Sequence, residues 1–224
     1  MRDFILSYAP VIVWVIAVVE LLTGILLLTL LKNKGFKQMR LLMALLCFGL
    51  FYDAFIIAIG NFLPLEPLKF LSRFRFVASG LLIPTLFTTS AYSVSFKGKK
   101  LKAAGIITVV LMIMGLAYAF VTDLEVENAA GLVRYASSDL TPKWAKGING
   151  LLTAGSAVPV LIAGVMLIVR QKNFFMLLAG LFMFIFSAIG PATGNADLMV
   201  FFSMFGEALM VIFFALFAAT GKEK

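Results

Sequence analysis

MVFFSMFGEALMVIFFALFAAT, residues Met199–Thr220, is the stretch whose reading decides the fold. It is 22 residues of almost unbroken apolar sequence. About 20 such residues at 1.5 Å rise cross the roughly 30 Å hydrocarbon core of a bilayer. Near its middle stands an acid, Glu207. An ionisable group at that depth costs on the order of 2.5 kcal/mol or more unless it is paired, hydrated or neutralised. Two further apolar stretches repeat the pattern with Glu20 and Asp53, which raises the question of whether three acids form one site.

Composition sets the class. Of 224 residues 62% are hydrophobic and only 13% charged, with a mean hydropathy of +1.05, against about 25% charged in soluble domains. The chain reads as a polytopic membrane protein of one domain, residues 1–224, with the lipid bilayer as its first partner. No His is present, which removes imidazole metal sites and Ser-His or Cys-His nucleophile pairs. The single Cys47 lies in an apolar run and is expected to be a small core residue. No cofactor is implied. Nor is an enzyme expected, because the spans offer no Ser-Lys pair in place of the missing His. The first apolar run, about 24 residues without a small-x-small cleavage site, is not expected to be a cleavable signal.

Seven spans follow from hydropathy, at about 8–31, 41–63, 74–96, 103–122, 148–169, 174–194 and 199–220. Each must satisfy its own backbone hydrogen bonds in lipid, so the expected fold is an all-α bundle of seven transmembrane helices. The net charge of +8 sits in the connectors, which argues for headgroups rather than nucleic acid. One set of connectors and the tail carry 12 of the 19 basic residues (Lys32, Lys34, Lys37, Arg40, Lys97, Lys99, Lys100, Lys102, Arg170, Lys172, Lys222, Lys224) against one acid, Glu223. The other side holds seven basic residues and seven acids. By the positive-inside rule the N-terminus is expected outside and the C-terminus in the cytoplasm, in a cytoplasmic membrane.

The long outer connector, 123–147, opens acidic (DLEVE), alternates polar and apolar residues around Leu132–Tyr135, and ends in a helix-start signal, Thr141-Pro142. Trp144 then falls at the membrane surface, and a loop this long can cover an outward-facing pocket. Pro84 and Pro159 fall within spans and Pro191 near the outer end of span six, where each frees a backbone carbonyl. Gly150, Ala154, Ala157 and Gly164 recur at helical spacing and predict a close-packing seam on span five.

Counted from the outer ends of their spans, Glu20, Asp53 and Glu207 lie about 12, 10 and 8 residues in, or roughly 18, 15 and 12 Å deep. Three carboxylates brought together cannot all carry charge cheaply; such a group could bind a cation or carry protons. Arg73 and Arg75 stand at the expected outer mouth of span three, and Arg75, the deeper, is the candidate to turn inward. Tyr52, Asn61, Asn195 and Asp197 are the expected polar lining.

Two resemblances concern topology. Arg75 nine residues before Pro84 resembles the third helix of microbial rhodopsins. Ala78 stands where that family carries an acid, and span seven has no Lys, so a retinal Schiff base is excluded and only a retinal-free relative is compatible. Spans two and six (GLFYDAFIIAIGN, GLFMFIFSAIGPATGN) echo each other, which is similar to the three-plus-one-plus-three sugar transporters, though without a Pro-Gln motif. The expected function is binding or transport of a small solute, a cation suiting the acids, through an outward-opening cavity. The rival is a sensor or accessory protein that signals to a partner.

Overall fold

The computed structural model describes residues 2–32 and 35–221; Lys34, Lys222, Glu223 and Lys224 lie outside that range. The chain is mostly helical: α1 (Arg2–Thr29), α2 (Lys37–Ala58), α3 (Leu65–Leu82), α4 (Thr85–Ser93), α5 (Gly98–Val121), α6 (Lys143–Gln171), α7 (Phe175–Ala192) and α8 (Ala196–Thr220). Six stretches are long and apolar enough to cross a membrane, with α3 and α4 together forming one, Leu65–Ser93. The apolar part of α7, Phe175–Ile189, is shorter. This fits an α-helical membrane protein. Apolar side chains such as Val11, Ile113 and Ile162 stay exposed on the flanks, where hydrocarbon rather than water is the matching solvent.

The chain is not purely helical. Between α5 and α6, strands β1 (Leu124–Ala129) and β2 (Leu132–Ser137) pair antiparallel, with Leu124 opposite Ser137 and Ala129 opposite Leu132. Ala130 and Gly131 both take positive φ, 54° and 76°, the backbone that lets a two-residue turn follow the strand twist. Leu124, Leu132 and Tyr135 turn inward onto Ile56 and Leu68 or the α1–α2 core, so the hairpin lies down on the bundle. The alternation around Leu132–Tyr135 is thus a strand, not a feature of a loop.

Span three also departs from expectation. Its helix begins at Leu65, nine residues before the expected start. Pro64 in extended conformation, Glu66 in the first turn and Pro67 inside it all suit a helix start. Arg73 and Arg75 therefore sit within a helix, on its third turn, instead of at its mouth. Pro84 ends α3 and divides it from α4, whereas α6 runs through Pro159 without interruption.

The two ends of the bundle are held differently. At the end with the basic connectors, buried Arg40 donates to Leu30 O (3.0 Å), Gly35 O (2.9 Å) and Ala218 O (2.9 Å), which satisfies carbonyls at the ends of α1 and α8. The main core, with Met43, Cys47, Leu167, Met176 and Phe214, lies at this end and at mid-depth. Toward the hairpin end packing is thinner. The predicted seam on α6 is real only in its lower part. Gly164 lies against Leu177, whose Cα would be 2.4 Å from an added Cβ, and Ala157 is buried. At Gly150 an added Cβ would meet nothing within 4 Å. α6 and α7 touch near the basic end and part toward the hairpin.

Candidate functional site

Where those helices part, the hairpin end encloses a polar cavity of about 360 Å³. Asp53 from α2, Arg75 from α3, Glu207 and Ser203 from α8, and Glu127 and Arg134 from the hairpin all line it. A neighbouring chamber of about 590 Å³ shares Arg134, Asn149, Thr153, Ser187, Met199 and Ser203 with it, so the two are continuous.

The charges are arranged as two closed pairs and one open acid. Arg75 meets Asp53 through two prongs, Nε to Oδ1 at 2.9 Å and Nη2 to Oδ2 at 3.3 Å. That is the bidentate fork that suits a guanidinium to a carboxylate. Its Nη1 also points to Tyr135 O at 3.5 Å, which ties the pair to the hairpin. Arg134 pairs with Glu127, its partner across the hairpin register. Burial pulls the Arg134 guanidinium below its ordinary pKa, and Glu127 opposes that shift. Its Nε is buried with no hydrogen-bond partner among the described residues. Glu207 has no cation within ion-pair distance among the described residues, and its one hydrogen bond comes from Ser203 Oγ at a long 3.4 Å.

Glu20 stands apart. It is 1% exposed on α1, one carboxylate oxygen lacks a partner, and it does not line the cavity. It remains within electrostatic reach of both Glu207 and Asp53, so the three acids are neighbours although only two share the cavity.

The expected polar lining is largely employed elsewhere. Tyr52 turns away from the cavity and donates to Leu71 O at 3.1 Å. Asn61 clamps the hairpin, its Nδ2 donating to Gly131 O (2.8 Å) and its Oδ1 accepting from Val133 N (2.7 Å). Asp197 accepts from Ala130 N at 2.6 Å, a second clamp on the same turn. Asn195 caps α8 by accepting from the backbone N–H groups of Asp197 and Leu198. The two asparagines that match in the span-two and span-six echo therefore hold different structures. Arg73, expected at the outer mouth of span three, donates to Ala119 O (2.7 Å) and Thr122 O (2.6 Å) and closes the end of α5.

Arg134, Glu127, Asn149, Thr153, Ser187 and Ser203 were not among the sequence candidates. A signal for the first two was present. Once ENAAGLVR is read as a hairpin about Ala130-Gly131, Glu127 and Arg134 fall opposite each other. The others are single polar residues in apolar helices, and only their convergence marks them. Compared with models of known protein families and with curated protein sequences, the chain matches none.

Proposed function

We propose that this chain is a seven-span protein of the cytoplasmic membrane, hairpin and N-terminus outside, that binds or transports a small organic cation. α7 serves as the seventh span, and the orientation rests on the basic connectors. The observation that carries the functional reading is Glu207. It is a carboxylate on a cavity wall without a counterion, beside two arginines that already have theirs. A solute ammonium or guanidinium group would complete the pairing that the protein leaves open, and Asn149, Thr153 and Ser203 offer hydrogen bonds around it. The hairpin forms part of the cavity wall and is fastened by Asn61 and Asp197, so opening one of these clasps would widen the way in from outside.

A thermal-shift screen of small amines and guanidinium compounds on the purified protein tests the reading. A ligand present at 100 times its Kd stabilises the folded state by about 2.7 kcal/mol. At least one cation should raise the melting temperature of the wild type, and the shift should vanish in Glu207→Gln. No shift with any cation, or an equal shift in the variant, would count against it.

A further inference from the structure

The outer chamber says more about the solute than its charge. α6 and α7 meet backbone to side chain near the basic end, where an added Cβ at Gly180 would lie 3.0 Å from Leu161 N and one at Gly164 2.4 Å from Leu177 Cα. About three turns nearer the hairpin the same helices have separated, leaving open space at Gly150. α7 and α8 do not separate over that length, since an added Cβ at Gly206 would lie 2.7 Å from Phe186 Cβ and the Phe186 ring lies 5.7 Å from that of Phe205. The gap is therefore a cleft with α6 on one side and the α7–α8 pair on the other. Its walls include Phe184, Phe186, Met199 and Val200, and Phe184 is also 43% exposed on the apolar flank of α7. A rim that includes exposed apolar side chains on this flank suits entry from hydrocarbon. At its inner end the cleft meets the polar cavity and Glu207.

We infer that the solute is a single-chain cationic amphiphile that enters sideways from the bilayer between α6 and α7. Its ammonium head rests on Glu207 and its alkyl chain lies in the cleft between Phe184, Phe186 and Met199. A fully hydrated cation would need only the inner chamber, whereas the larger one, with Phe184, Phe186, Met199 and Val200 along its walls, has room for a hydrocarbon tail. Charge complementarity fixes the head: Asp53 and Glu127 are occupied by their arginines, and Glu207 is not. This inference rests on the assignment of Glu207 as the cation contact.

The test compares ethylammonium with n-octylammonium, each titrated onto the full chain in nanodiscs and corrected for uptake by empty nanodiscs. Octylammonium should bind the wild type at least tenfold more tightly than ethylammonium. Gly150→Leu puts a side chain into open space in the cleft; it should erase that preference and keep ethylammonium affinity within twofold, which also shows that the variant is folded. Equal affinity of the two amines for the wild type, or a preference that survives in Gly150→Leu, overturns the amphiphile and leaves the Glu207 reading standing. Failure of both amines to bind overturns both.

Discussion

Removing the Arg75 guanidinium is the perturbation whose outcome the structure specifies most fully. Arg75→Met keeps the unbranched apolar stem of the side chain and deletes both prongs of the fork to Asp53, 2.9 and 3.3 Å long. The side chains are 7% and 22% exposed, so Asp53 is left as a mostly buried charge in a cavity that also holds Glu127 and Glu207. Breaking a buried pair from one side costs about 3–5 kcal/mol. The partial exposure of Asp53 to the cavity places this case at about 3 kcal/mol. Replacing both partners, Arg75→Met with Asp53→Leu, leaves no orphaned charge and should recover about 2 kcal/mol of that loss, since deleting a whole buried pair is often close to neutral. Reversible unfolding in mixed detergent micelles, followed by tryptophan fluorescence, reads the change directly. Trp14 packs edge-on against Phe55, 5.7 Å between centroids, and reports from the same end of the bundle. A loss under about 1 kcal/mol for Arg75→Met, or a double variant as unstable as the two single losses added together, would refute the reasoning.

Other parts of the structure make their own predictions. Gly80 and Gly115 let α3 and α5 touch, and an added Cβ at Gly80 would stand 2.6 Å from Gly115 O; Gly80→Ala should cost about 1–3 kcal/mol in the same unfolding assay. Gly105→Ala, where an added Cβ meets nothing within 4 Å, should instead stabilise by up to about 1 kcal/mol through helix propensity. Asn61→Ala removes both hydrogen bonds that hold the hairpin turn to the end of α2. It should cost about 1–2 kcal/mol, with faster amide exchange confined mainly to residues 124–137. Arg73→Ala leaves Ala119 O and Thr122 O without their donor and should fray the last turn of α5, visible as faster exchange there and not in α2.

Hydropathy located the long helices because in lipid a span must be apolar over its whole length, and that constraint is local. It failed at the start of α3, where Glu66, Lys69, Arg73 and Arg75 dilute the signal. An 18-residue window within Leu65–Ser93 reaches a mean hydropathy of only 1.3, against 2.8 in the first span. Those charges are tolerated because Arg73 and Arg75 are spent on carbonyls and on Asp53, partners that sequence order does not display. The hairpin was half legible: β2 showed its alternation, but its partner LEVENA read as an acidic connector. For the candidate site, depth alone marked Glu20, Asp53 and Glu207 as unusual, since any buried acid is costly whatever faces it. Which acid meets which cation depends on helix rotation and on the hairpin, so Arg134 was missed. Asn61, Asn195 and Asp197, polar residues at helix ends, were read as lining when their work is to cap and to clasp.

The central claim is that Glu207 is the open acid of the cavity and the contact for a cation. The most direct measurement is a structure of the protein with an alkylammonium ligand bound. The account predicts the ammonium nitrogen within about 3.2 Å of a Glu207 carboxylate oxygen, with the Arg75–Asp53 and Arg134–Glu127 pairs intact. A ligand seated away from Glu207, or one that displaces Arg75 to reach Asp53, would contradict it.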